Sequence, residues 1–188
     1  MASGGGWQCG SVVAHDDLRP LLDAAREGDD HAVRELVRRT QPAVWRLCTA
    51  LGSPGEEDDL VQETYLRAFR SFPSYRGDAP VQAWLLSIGR HVCADHVRRR
   101  TRQRRLIDKI TRTRTVEQPP VAGHEDAVHQ FVEALSPDRR EAFVLTQIVG
   151  LSYDEAAEVV GCPIGTIRSR VARARVDLID ALRNADAV

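Results

Sequence analysis

The stretch from Leu151 to Arg175 constrains this chain most, because its turn chemistry and apolar spacing together fit one kind of local structure. Ser152-x-x-Glu155 has the form of a capping box, in which hydroxyl and carboxylate satisfy backbone N–H groups at a helix start. Ala156, Ala157 and Val160 follow at helical spacing, Gly161-Cys162-Pro163 makes a tight turn, and a helix of about 20 residues is predicted beyond it. At about 100° per residue, Ile164, Ile167, Val171, Ala174 and Leu178 share one side of that helix. Arg168, Ser169, Ala172 and Arg173 lie opposite, with Arg170 and Arg175 at the flanks. Helix, short glycine turn and helix make a helix-turn-helix, whose second helix lies in the major groove of DNA. Arginine pairs bidentately with guanine, for roughly 1–3 kcal/mol of discrimination per contact, so Arg168, Ser169, Ala172 and Arg173 are candidate base readers. The flanking Arg170 and Arg175 are candidates for phosphate contacts.

The rest of the chain carries the same period. Leu18, Leu21, Leu22 and Ala25 form one helical face that ends at Gly28. Ala32, Val33, Leu36 and Val37 continue it, followed by Val44, Trp45, Leu47, Cys48 and Leu51. Gly52-Ser53-Pro54-Gly55 is a break, and Glu56 to Asp59 then place four carboxylates in the first turn of a new helix, where its dipole favours them. Val61, Tyr65, Ala68, Phe69 and Phe72 supply its buried stripe, and Pro73–Pro80 reads as a turn-rich loop. Trp84, Leu85, Ile88, Val92 and Val97 give the next helix its apolar face. Ser136-Pro137 reads as another helix start, and Ala142, Phe143, Leu145 and Ile148 as its core face, with Gly150 ending it. No segment alternates as a strand would. The expected fold is all-α, two small helical bundles on a flexible linker. A disordered tail is expected at 1–14, the first bundle at 15–101, the linker at 102–128 and the second bundle at 129–188.

Net charge is only −1 over 188 residues, but its distribution is uneven. Residues 15–63 hold twelve acids against six arginines, and residues 90–114 hold nine arginines and Lys109 against Asp95 and Asp108, or +8. Residues 117–160 carry −7, and residues 164–175 carry four arginines and no acid. Blocks of opposite sign point to a polyanionic partner for the basic ones. The start of the chain lacks the basic and apolar regions of a signal peptide, and no apolar run approaches the roughly 20 residues needed to span a bilayer, so the expected location is the cytoplasm without membrane insertion. Cys9, Cys48, Cys93 and Cys162 form no CxxC pair and are expected as reduced thiols. His91, Cys93 and His96 diverge around one helix and do not suit a metal. Phosphate-binding glycine loops and nucleophile elbows are both absent, so no catalytic site and no cofactor are expected. An autonomous helix-turn-helix regulator would bind duplex DNA alone and prefer palindromic sites. A recombinase-like enzyme would need an acidic metal cluster or a nucleophilic Ser or Tyr.

Four motifs in order, DLVQE at 59–63, YRGD at 75–78, AWLLSIGRHV at 83–92 and GLSYDEAAEVVGCPIGTIRSRVARAR at 150–175, resemble bacterial extracytoplasmic-function (ECF) sigma factors, with the last most similar to the actinobacterial sigma-C type. The resemblance covers about residues 16–182 and implies a family domain two, a linker and a family domain four. It implies promoter DNA and core RNA polymerase as partners, through the β′ clamp helices and the β flap region, and an anti-sigma factor as a further partner. Asp59, Leu60, Gln62 and Glu63 would contact the clamp helices. Tyr75, Arg76, Gly77 and Asp78, with Arg67, Ser71 and His91, would capture a flipped base of the −10 element, Tyr75 by stacking. Trp84 is expected in the core at the DNA-facing edge. Arg90, Arg98, Arg99 and Arg100 would follow the duplex backbone, and the second module would read the −35 element. The chain would then do no chemistry itself; it would lend promoter specificity to the polymerase.

Overall fold

The computed structural model describes residues 18–111 and 130–186, which are helical with no strand among them. The tail at 1–14 and residues 112–128 of the expected linker lie outside the described residues. Helix α1 (Arg19–Arg26) carries Pro20 in its first turn and buries Leu22 and Ala25. Helix α2 (Asp30–Leu51) starts at Asp29, whose carboxylate accepts from the N–H groups of His31 and Ala32 at 2.8 and 3.3 Å. The helix passes through Pro42 without ending. Close by, the buried Thr40 hydroxyl donates to the Leu36 carbonyl at 2.8 Å and lies 2.8 Å from the Tyr65 hydroxyl, tying α2 to the next helix.

Helix α3 (Glu57–Ser71) opens with Glu57, Asp58 and Asp59 in its first turn, as the dipole argument requires, and buries Leu60, Val61, Thr64, Tyr65 and Ala68. One 3-10 turn (Phe72–Ser74) and a loop lead into helix α4 (Val81–Thr111). The three long helices meet at Gly89. A Cβ there would lie 3.1 Å from Leu47 of α2 and 3.3 Å from Thr64 of α3, so the absence of a side chain sets the closeness of the bundle. Leu86 and Val92 are wholly buried on either side of this point.

Three expectations need correction. Trp45, placed by periodicity on the inner face of α2, is 39% exposed, because Ala43, Val44, Leu47 and Cys48 already fill that face. Val97 is likewise exposed, since α4 has by then run past the bundle. The linker does not begin at residue 102, because α4 continues to Thr111. The basic run has the charge of a solvated tether, yet arginine, glutamine and leucine are good helix formers, and neither glycine nor proline interrupts them.

The second module begins with a helical segment at 130–134. Helix α5 (Pro137–Phe143) continues as one π-helical turn (Val144–Ile148), followed by α6 (Tyr153–Val160) and α7 (Ile164–Asp186). Ser136 occupies the N-cap of α5, but its hydroxyl makes no capping bond. The capping box of α6 is complete: Ser152 Oγ accepts from the Glu155 N–H at 3.2 Å, and Glu155 Oε2 accepts from the Ser152 N–H at 2.8 Å. Gly161 turns the chain at φ +74°, in the left-handed region that a glycine reaches without steric cost. Ile167, Val171 and Ala174 are buried as the period predicts, while Leu178 is only half-buried.

The two modules share one continuous apolar core. Helix α6 packs on α4, the π-helical turn packs on α2, and Arg90 of α4 pairs with Glu141 of α5 at the seam. Two losses of stability are expected, each read by urea denaturation. Leu86→Ala should cost about 2–5 kcal/mol, the range for emptying a full core position. Ser152→Ala should cost about 0.5–2 kcal/mol by uncapping α6.

Candidate nucleic-acid interface

The loop between α3 and α4 encloses a cavity of about 280 Å³ lined by Ser74, Tyr75, Arg76, Asp78, Ala79 and Trp84. Its wall is built on an aromatic cluster. The Tyr75 ring packs against Trp84 at a centroid distance of 4.9 Å, Trp84 reaches Phe72 at 6.0 Å, and Phe72 meets Phe69 edge-on at 5.2 Å. The Tyr75 hydroxyl donates to the Ala79 carbonyl at 2.5 Å, closing the loop on itself. Gly77 sits at φ +83° at the tip. Tyr75 was expected to present its ring for stacking. It is instead 7% exposed and forms the cavity wall, because it completes the aromatic cluster over the end of α3. Trp84 is half-buried within that cluster, as expected.

Helix α1 lies behind the loop. Arg26 Nε donates to the Phe72 carbonyl and Arg26 Nη2 to the Tyr75 carbonyl, both at 2.7 Å. The Arg19 guanidinium lies 5.2 Å from the Tyr75 ring centroid, within the range of a cation–π contact. Asp23 sits between the two arginines and accepts from Arg19 at 3.1 Å and from Arg26 at 3.4 Å. The sequence reading did not pick out these residues. The spacing Arg19-x₃-Asp23-x₂-Arg26 marks one face of α1, but what that face touches lies 46 and 49 positions away from Arg26.

Of the residues expected at this site, Tyr75, Arg76 and Asp78 line the cavity and Gly77 shapes it. Arg67, Ser71 and His91 do not line it. Arg67 donates to Glu63 at 2.7 Å and to Asp95 at 3.0 Å. Asp95 also accepts from Arg98 at 2.7 Å, and Arg98 and Arg67 together hold its carboxyl below the usual range. Ser71 donates back to the Arg67 carbonyl at 2.8 Å. The exposed His91 ring lies 2.7 Å from the Ser87 carbonyl and 3.2 Å from Arg90.

A second cleft, of about 800 Å³, lies between the start of α3 and the far half of α4. Glu56, Asp59 and Glu63 line one wall, and His96, Arg99, Arg100 and Arg104 the other. Asp59 and Gln62 are exposed and Glu63 is half-buried. Leu60, expected among the docking residues, is only 3% exposed and forms the cleft floor, because it shares the inner face of α3 with Thr64 and Ala68, four and eight residues on, and lies against Gly52. His96 Nε2 is buried without a hydrogen-bond partner.

The outer face of α7 is the third surface. Arg168, Ser169, Ala172 and Arg173 are all exposed, and neither arginine makes an ion pair among the described residues. The flanking pair is already engaged: Arg170 pairs with Asp138 at 2.6 Å, and Arg175 donates to Gln147 at 2.8 Å. On α4, Arg99 is exposed and Arg100 half-buried, while Arg90 is committed to Glu141. Among the described residues no cluster of His, Cys, Asp or Glu could hold a metal ion, and no helix is long and apolar enough to cross a membrane. Cys48 and Cys93 are buried free thiols, and Cys162 is a partly exposed one.

Comparisons with known proteins identify the family. The Sigma-70 region 2 family matches residues 36–103, and the Sigma-70 region 4 family matches residues 125–178. The ECF RNA polymerase sigma factor SigC of Mycobacterium tuberculosis is 41% identical over 182 residues, covering 90% of this chain and 94% of that protein. The ECF RNA polymerase sigma-E factor of Escherichia coli is 31% identical over 169 residues, covering 82% of this chain and 88% of that protein. Among solved structures, CnrH bound to the cytosolic domain of CnrY superposes with a TM-score of 0.70 at 31% identity, covering 89% of this chain and 97% of that one. The sigma factor RpoE in complex with the anti-sigma factor NepR, from Bartonella quintana, gives 0.68 at 31% identity, covering 80% and 96%. With both sigma-70 regions present in order, and relatives matched over most of their length, the chain belongs to the ECF group of sigma-70 RNA polymerase sigma factors, the subunits that direct promoter-specific transcription initiation.

Proposed function

We propose that the three surfaces divide the work of initiation among named residues. The outer face of α7 reads the −35 element in the major groove through Arg168, Ser169, Ala172 and Arg173. The loop cavity takes one flipped base of the −10 element, with Asp78 and Arg76 at its edge. Asp59, Gln62 and Glu63 dock on the β′ clamp helices, over a cleft floor made by Leu60, and a partner there would also reach the unsatisfied His96 nitrogen. Arg98, Arg99 and Arg100 follow the duplex backbone. Arg98, like Arg90, Arg170 and Arg175, does so only after exchanging its protein partner for phosphate.

One observation carries this reading most directly. On a single helix, the two arginines aimed outward make no ion pair or hydrogen bond among the described residues, while the two flanking ones are engaged, Arg170 by the Asp138 carboxylate and Arg175 by the Gln147 side-chain amide. A guanidinium without a protein partner on a face that also carries Ala172 can approach a base edge closely. The chain itself does no chemistry in this scheme and works in the cytoplasm alongside the polymerase. An anti-sigma factor is a fitting further partner, since both superposed relatives were solved with a bound partner protein, one of them named as an anti-sigma factor.

Arg168→Ala and Arg173→Ala should each weaken initiation by on the order of 1–3 kcal/mol and relax base preference at one −35 position, measured on base-substituted templates. Unchanged preference would remove the residue from readout. Replacing Asp59 and Glu63 together by Ala should lower the affinity for core polymerase in a binding titration while leaving the fold intact, because both side chains lie outside the core. An affinity equal to that of the parent chain contradicts the docking assignment.

A further inference from the structure

We infer that Arg26 and Arg19 of α1 are positioning residues for −10 recognition: they hold the loop that forms the base cavity in its working shape without lining the cavity themselves. The inference rests on the reading of that cavity as a base pocket.

The aromatic cluster and the Tyr75–Ala79 bond hold the loop's side chains and its far end, but the backbone of its first turn is only weakly closed. Its 3-10 turn is closed by the Tyr75 N–H donating to the Phe72 carbonyl at 3.3 Å, beyond the usual length of such a bond, and Pro73 has no N–H to add. Arg26 supplies what is missing. Two N–H groups of one guanidinium reach the carbonyls at either end of the turn at 2.7 Å, the short distance of a charge-assisted bond. The rigid planar fork fixes the separation of those two carbonyls, which a single ammonium cannot do. Arg19 acts on the next segment. It lies over the face of Tyr75, and a Cβ on Gly77 would fall 2.0 Å from its Nη1, so the guanidinium occupies the space directly behind the loop tip. Asp23 braces both side chains from the same face. Neither arginine lines the cavity, yet between them they meet the Phe72 and Tyr75 carbonyls, the Tyr75 ring and the space behind Gly77.

The test is transcription by reconstituted holoenzyme carrying the full chain as Arg26→Lys, Arg19→Gln or Asp78→Ala, on a promoter the parent holoenzyme uses. For each variant, initiation on the native promoter is divided by initiation on templates with single substitutions in the −10 element, and separately in the −35 element. The expected result is a roughly tenfold fall in the −10 ratio for Arg26→Lys and Arg19→Gln, the size of one displaced base contact, with the −35 ratio unchanged. An unchanged −10 ratio in both arginine variants, with a fall in Asp78→Ala, overturns the positioning role and leaves the base pocket standing. No change in any of the three variants overturns the base pocket itself. A fall in both ratios together means general loss of structure and also overturns the positioning role. Arg19, whose side chain is 39% exposed, keeps the test available should Arg26→Lys fail to fold.

Discussion

How closely α4 lies against α2 and α3 sets the geometry of everything else. At Gly89 the three helices come within one missing methyl group of each other, and the side chains of Leu47 and Thr64 fill the space a Cβ would need. The end of α3 and the start of α4 are thereby fixed relative to one another, so the loop spanning them has set anchor points. Beyond that bundle the far half of α4 exposes Val97, Leu106 and Ile107. That half leaves the bundle as a basic rod and forms one wall of the acidic-and-basic cleft. The loop cavity and the acidic-and-basic cleft thus lie toward opposite ends of a single helix.

Electrostatics divides the arginines into two groups. Those that build the protein are held by carboxylates or carbonyls: Arg26 on the loop, Arg67 between Glu63 and Asp95, Arg90 on Glu141, Arg139 on Asp177. Others stand without carboxylates on an exposed face, as Arg168 and Arg173 do. Net charge near zero conceals this division. An exposed pair such as Arg98 with Asp95 adds little to stability, so its exchange for phosphate costs little. The seam pair of Arg90 and Glu141 is more enclosed, which makes its release a larger step.

Much of the fold was legible because helical periodicity and turn chemistry agree over long stretches. The capping box, the Gly161 turn and the buried face of α7 follow directly from side-chain type. What was missed has definite causes. Trp45 sits near the edge of an apolar stripe, where a turn of about 100° separates inside from outside, and Leu60 was placed by the resemblance of DLVQE to a docking motif rather than by its helical angle. The extension of α4 to Thr111 looked like a tether, because a run of like charge resembles a solvated linker until its helix propensity is weighed. Packing of α6 on α4 and of the π-helical turn on α2 joins residues far apart in the chain, through small apolar faces that each serve equally well as module surface. Arg19 and Arg26 were invisible for the same reason: their acceptors are backbone carbonyls, which carry no sequence signature.

The measurement that bears most directly on the whole account is transcription reconstituted from this chain and core polymerase on a randomised promoter library, with the starts read by sequencing. The account predicts starts that share two spaced elements, the upstream one changing its base preference when Arg168 or Arg173 is replaced and the downstream one when Asp78 is replaced. Absence of specific starts, together with tight binding of the chain alone to duplex DNA, would contradict it.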